Sequence, residues 1–182
     1  MSRIYLLSSL PALVLGQDSL LSLEAFQGLC AILCPEEQAE AARVIKGRYQ
    51  ELKTDFGRAW GDLDLQIRNQ IMLIRAKTWN VSQALPGPTA ARYSVRARDM
   101  VSDAFELDSP LEREWALDKG RWALIQDLTR KDDPFGLDRV LAFGLQLKLV
   151  QRWAWIDKDR GREQFHSLVQ TCMGKVTLDV SS

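Results

Sequence analysis

Apolar residues recur at intervals of three and four along most of the chain, and this spacing predicts helices. The clearest helix covers residues 60–79, and its apolar stripe consists of Trp60, Leu63, Ile67, Ile71 and Ile74. The last long helical tract has an inner stripe of Leu137, Leu141, Leu145, Leu149, Trp153 and Ile156. Only the tail, residues 175–180, alternates as a strand does. The pattern predicts an all-α fold, a multi-helix bundle of long antiparallel neighbours.

A further helix is predicted over residues 109–128, because Ser109 is a good N-cap and Pro110 suits the first helical position. Its predicted apolar face, directed to the core, consists of Leu111, Trp115, Trp122 and Ile125. Asp118 falls on the same face. A carboxylate in that position must find a hydrogen-bond donor or stay at the wet edge.

Breaks along the chain separate these helices. Ser22 is the predicted N-cap of a helix that runs to about Cys34, and Pro35 opens the next one. The sequence LPGP at residues 85–88 ends the long helix. We expect a single helical domain over residues 1–182, with two lobes joined near residues 82–98 as the alternative.

Arginines crowd the segment after that break. Arg92, Arg96 and Arg98 lie beside Tyr93, which is a composition that also contacts phosphate or RNA. The acids that follow directly neutralise this charge, so we interpret the stretch as the solvated face of a connecting segment. The whole chain carries 24 basic and 24 acidic residues, which argues against a dedicated nucleic-acid binder.

The sequence predicts no metal and no cofactor. The three cysteines are Cys30, Cys34 and Cys172, and the single histidine is His166, whereas zinc sites usually need four such ligands. We expect buried apolar cysteines in a reducing compartment. The apolar run near the N-terminus is interrupted and too short to span a bilayer; a buried segment is preferred, and an export signal is the alternative.

Charged residues on the long helix form the first candidate site. Asp64 and Arg68 are four apart in the favourable order for an intrahelical pair, and Arg68 and Arg75 are seven apart and share a face. One interpretation is a salt bridge at a helix seam. The other is that Arg68, Asn69 and Arg75 dock a carboxylate or helix end of a partner. For Asp118 on the apolar stripe, Arg68 and Arg75 are the predicted partners.

Catalytic motifs are not found in the sequence. There is no phosphate-binding loop, no dinucleotide fingerprint and no nucleophile elbow, and His166 has no evident nucleophile near it in sequence. We therefore predict a protein without catalytic activity. A helical adaptor or an enzyme of another kind stays open as the alternative.

Short motifs that occur in a fixed order carry a resemblance over most of the chain. They are YLLSSLP at residues 5–11, LSLEAF at 21–26, IRN at 67–69, IRA at 74–76, PLERE at 110–114, LD at 117–118, RW at 121–122 and LKLVQRW at 147–153. In this order they resemble an uncharacterised bacterial family whose members tend to be encoded among subunits of V-type ATPases. These proteins look like a short counterpart of the all-helical socket of the central stalk, which links the rotary shaft to the membrane ring.

The resemblance implies a fold like one lobe of that socket, and a structural subunit or assembly factor of a bacterial V-type ATPase. It implies shaft and ring subunits as partners, and a cytoplasmic, peripheral location at the inner face of the membrane. The candidate interhelical or partner-binding residues are Arg68, Asn69, Arg75, Glu112, Glu114, Asp118, Arg121 and Arg152.

Overall fold

The computed structural model describes residues 2–80, 90–129 and 133–154, and these ranges contain seven α-helices and no strand. The helices are α1 (Ser2–Ser9), α2 (Leu23–Leu29), α3 (Pro35–Ile45), α4 (Asp55–Thr78), α5 (Val95–Phe105), α6 (Pro110–Leu128) and α7 (Leu137–Ala154). Short 3-10 turns follow α2 and α3, at Cys30–Ile32 and Tyr49–Glu51. The predicted all-helical fold is confirmed for these residues. Ile156, His166, Cys172 and the alternating tail lie outside them.

Side-chain caps set several of the helix starts, as the sequence predicts. The Ser22 hydroxyl accepts a hydrogen bond from the Ala25 amide, and the Ser109 hydroxyl accepts one from the Glu112 amide. Pro35 and Pro110 occupy the first positions of α3 and α6. These groups satisfy backbone donors that a helix start leaves without an intrahelical partner. The helix predicted from Ser22 ends earlier than expected, because the backbone tightens into the 3-10 turn at residues 30–32.

Helix α7 is the centre of the packing. It contacts α1, α2, α3, α4 and α6, and apolar residues are buried on most of its circumference. Those residues are Val140, Leu141, Ala142, Gly144, Leu145, Leu147 and Val150. A helix that is apolar nearly all round is stable only when other elements enclose it. Its last turn, which carries Arg152 and Trp153, lies beside α6.

Buried polar side chains fasten neighbouring helices to this core. The Glu40 carboxylate of α3 accepts hydrogen bonds from the backbone amides of Lys53 and Thr54 just before α4. The Lys148 ammonium donates to the Val44 and Ile45 carbonyls, the last of α3. Such carbonyls have no partner within their own helix, so a cation there is stabilising.

Helix α5 corrects one prediction. The segment that carries Arg96 and Arg98 was expected to be a connection, but it is helical from Val95 onward. Its arginines are exposed as predicted, whereas Ala97, Val101 and Ala104 on its other face are buried. The Gln66 side chain of α4 exchanges two hydrogen bonds with the Ser94 backbone and so holds the start of α5.

The inner face of α6 was also predicted in the wrong place. Its buried residues are Leu117, Asp118, Leu124 and Ile125, while Trp115 and Trp122 are only half-buried and Leu111 is exposed. The prediction is right for Ile125 and wrong for Leu111. Amphipathic tryptophans commonly lie at the edge of a core, and two leucines seven residues apart occupy its centre here.

Two further findings concern the cysteines and the membrane. Cys30 is buried, but Cys34 is exposed at the start of α3, so the prediction that both are buried is wrong for Cys34. Cys34 precedes the first turn of α3, where the chain is at the surface. Among the described helices, none is long and apolar enough to cross a membrane.

Candidate functional site

An open pocket of about 600 Å³ lies where α4, α6 and the last turn of α7 meet. We name it the arginine pocket, because four guanidinium groups line it. Its lining residues are Arg68, Ile71, Met72, Arg75, Ala76 and Trp79 from α4 and its C-cap, Glu114 and Arg121 from α6, and Arg152 from α7.

Helical periodicity explains how α4 supplies one wall. Residues 68, 71, 72, 75, 76 and 79 are separated by three or four positions and therefore lie on one face. Glu114 and Arg121 are likewise seven apart on α6, which places them two turns apart on a common face. The pocket is thus a seam between helix faces, with its side chains fixed to regular elements.

A buried carboxylate supports the pocket from behind. Asp118 is 0% exposed, and its Oδ1 accepts a hydrogen bond of 2.5 Å from Arg121. Its Oδ2 accepts one of 2.8 Å from Arg152 and one of 3.0 Å from the Trp153 indole nitrogen. Three donors from two helices satisfy this charge, which would otherwise be very costly to bury.

Glu114 lies at the rim of the pocket, between two of the arginines. It accepts a hydrogen bond of 2.5 Å from Arg152, and its other oxygen is 3.8 Å from the Arg75 guanidinium. Burial of Arg152 disfavours its charge, but the hydrogen bond from Arg152 to Glu114 and the nearby charge of Asp118 outweigh this, so the pKa of Arg152 is raised. Arg152 therefore remains a fixed cation that links Glu114 and Asp118.

Asp64 and Arg68 form the predicted intrahelical pair at 2.8 Å. Burial raises the pKa of the Asp64 carboxyl above its usual value, while the charges of Arg68, Arg121 and Lys148 act in the opposite direction. The four guanidinium groups thus face three carboxylates, those of Asp64, Glu114 and Asp118. The cluster carries one formal positive charge more than it neutralises.

The apolar part of the pocket comes from α4. Ile71, Met72 and Ala76 are half-buried, and Trp79 is 72% exposed at the end of the helix. A large exposed indole beside charged groups offers contact area to a second molecule. The arrangement therefore combines anion-binding groups with an apolar surface.

The structure brings together most of the predicted site residues. Arg68, Arg75, Glu114, Arg121 and Arg152 line the pocket, and Asp118 lies directly behind it. Asn69 and Glu112 are not part of the lining. The half-buried Asn69 lies on α4, and Glu112 is exposed in the first turn of α6.

The predicted partners of Asp118 need correction. A pairing with an arginine is confirmed, but the arginines are Arg121 and Arg152 instead of Arg68 or Arg75. Helix α7 crosses α6 at this level, and its Arg152 reaches the carboxylate. The arginines of α4 contact Asp64 and Glu114.

Sequence analysis missed the apolar half of the pocket. Met72, Ala76 and Trp79 were not candidates, although their spacing with Arg68 and Arg75 on one helix was available as a signal. Within the described ranges, no group of three or more potential metal-ligand side chains lies together.

An all-helical protein with an arginine-lined pocket at a helix seam is the class that these observations define. Residues 38–175 match the family model described as Protein of unknown function (DUF2764), and the chain belongs to that family. No curated protein and no solved structure matches the chain.

Proposed function

We propose that this protein is a non-catalytic structural subunit or assembly factor of a bacterial V-type ATPase, and that it docks another component of that enzyme through the arginine pocket. One observation carries the docking role. Arg121 and Arg152 are held by a fully buried carboxylate on rigid helices, beside an open apolar surface. Groups positioned in advance lose little freedom on binding, which favours recognition of a partner.

The ATPase assignment comes from the ordered motifs that resemble a family encoded with that enzyme. Close-packed helices are stiff and transmit strain, which suits an element between a rotary shaft and a membrane ring. In this role the protein is cytoplasmic and peripheral at the inner face of the membrane. Its partners are the shaft and ring subunits.

The chemistry of the pocket supports binding more than catalysis. Arginine stays protonated at any physiological pH and does not serve as a general acid or base. Glu114, the carboxylate among the lining residues, is engaged by Arg152 at 2.5 Å. A stand-alone helical adaptor would use the same pocket, and gene deletion separates the two roles.

The test is deletion of the gene followed by purification of the ATPase. The proposal expects a soluble head that separates from the ring, or a complex that assembles poorly. Normal pumping with poor assembly supports the assembly factor. Full coupled pumping together with normal yields of the intact complex would overturn the ATPase role and favour an adaptor for another partner.

A further inference from the structure

We propose that the arginine pocket binds a partner segment in which an acidic residue is followed closely by apolar ones. A partner carboxylate pairs with Arg75, and an adjacent apolar side chain packs on Met72, Ala76 and Trp79. The identity of the partner rests on the proposed function, whereas the chemistry of the site rests on the pocket itself.

The four arginines differ in how strongly the protein already uses them. Arg121 and Arg152 hold Asp118 at 2.5 and 2.8 Å. Arg68 contacts Asp64 at 2.8 Å. Arg75 is 50% exposed, and its guanidinium lies 3.8 Å from Glu114, near the outer limit of an ion pair. Arg75 is therefore the cation whose charge is most available to a ligand.

The apolar side of the pocket requires more than a simple anion. Met72 and Ala76 flank Arg75 on the same face of α4, and Trp79 is one turn further on. An ion bound at Arg75 would leave the exposed Trp79 indole without cover. A leucine or similar residue next to the carboxylate covers it, and methionine and tryptophan surfaces adapt well to such side chains.

The charge balance favours a monocarboxylate over a phosphate group. The pocket and its supporting carboxylates carry only one excess positive charge, and Glu114 lies at the rim beside Arg75. A phosphate brings nearly two negative charges, so Glu114 repels it more strongly than it repels one carboxylate. A volume of about 600 Å³ fits a few side chains of a docked segment.

The experiment measures binding of a labelled peptide of Glu-Glu-Leu-Leu repeats to the full chain at low salt, with a Gln-Gln-Leu-Leu peptide as its match. We expect the glutamate peptide to bind about tenfold more tightly, as one charge-assisted pair is worth at least that factor. Arg75→Gln should weaken binding of the glutamate peptide about tenfold.

Lys77→Gln is the control, because Lys77 is exposed on α4, two positions from Arg75, and is not part of the pocket lining. It removes the same charge and should change affinity less than about twofold. Equal losses in both variants, equal binding of both peptides, or failure of the glutamate peptide to bind would overturn the site. Displacement of the peptide by inorganic phosphate at equal concentration would overturn the carboxylate preference.

These outcomes are independent of the gene deletion. If the peptide binds at Arg75 while ATPase assembly is normal without the gene, the site stands and the partner is a different protein. If assembly fails without the gene while the peptide does not bind, the ATPase role stands and docking uses another surface.

Discussion

Helix α7 meets an apolar environment in its middle and a charged one at its last turn. Gly144 lies so close to α2 and α3 that a methyl group there would be 3.0 Å from a Phe26 ring carbon and 3.1 Å from Val44 Cγ1. Eight residues later, Arg152 and the following tryptophan donate to the carboxylate of Asp118 on α6. The two regions are thus held by different forces, which are shape in one and matched charge in the other.

This difference separates stability from recognition. In the apolar region Phe26 and Val44 are fully enclosed, so their surfaces are not available to another molecule. In the charged region the carboxylate is enclosed, whereas Arg152 is 43% exposed and faces the pocket. A buried charge on one side therefore orients exposed charges on the other side.

The largest effect should follow loss of the buried charge. Asp118→Ala leaves the guanidinium of Arg121, 15% exposed, and the Trp153 indole without their acceptor. We expect a loss of about 3–5 kcal/mol in the free energy of unfolding, measured by urea denaturation. Glu112→Ala on the same helix is the control, and it should cost less than about 1 kcal/mol, because Glu112 is exposed in the first turn. Equal losses would contradict the supporting role of Asp118.

Shape should control the other region, with a smaller effect. Gly144→Ala forces its methyl group against two enclosed side chains, and we expect a loss of about 1–3 kcal/mol. Gly28→Ala is the matched control, because a methyl group at exposed Gly28 in α2 meets nothing within 4 Å. It should raise stability by about 0.5–1 kcal/mol through helix propensity. A stabilising Gly144→Ala would show that α2 or α3 yields easily.

Alkaline pH provides a measurement at the boundary of the two regions, on Tyr49. Burial raises the pKa of the Tyr49 phenol from 10.0 to about 12, with a further increase from the Asp64 charge. The folded state therefore holds this proton more tightly than the unfolded state. Its contribution to stability is complete below about pH 10 and is lost as the pH rises towards about 12.

The control for this measurement is Tyr49→Phe, which keeps the ring that Lys148 approaches at 5.1 Å. Burial lowers the pKa of Lys148, so that residue also titrates at alkaline pH, but it is present in both proteins. Denaturation midpoints should fall more steeply above pH 10 in the wild type than in the variant. Parallel curves would mean that the Tyr49 phenol is as accessible in the folded state as in the unfolded chain.

The smallest effect concerns thiol reactivity instead of stability. Burial raises the pKa of the Cys30 thiol to about 11, so little thiolate exists at neutral pH, whereas Cys34 is exposed. In a background without Cys172, the variant that retains only Cys34 should react with a disulfide reagent about a hundredfold faster than the one that retains only Cys30. Similar rates would indicate that the region around α2 opens readily.

Much of the fold was predictable because local signals fix helix starts. Ser109 with Pro110 and Ser22 act through their own side chains, and the stripe of α4 has a regular period. Helix α5 was missed, because its buried face is only Ala97, Val101 and Ala104 among charged residues. Such a face becomes apolar enough only when α4 and α6 cover it.

The candidate site was predictable as a set of residues but less so as a set of pairs. Shared helix faces identified Arg68 and Arg75, and both line the pocket. The partner of Asp118 depends on which helix crosses α6 at that height, and sequence periodicity does not contain that information. Packing of the enclosed α7 determines it, and brings Arg152 to the carboxylate.

The most direct test of the central claim is recovery of the ATPase with the tagged full chain from native membranes. Wild type, Arg75→Gln and Lys77→Gln are compared at equal expression. The account predicts that shaft and ring proteins copurify with wild type and with Lys77→Gln, and fall about tenfold with Arg75→Gln. Equal recovery with all three proteins, or none with wild type, would contradict docking of a V-type ATPase component at the arginine pocket.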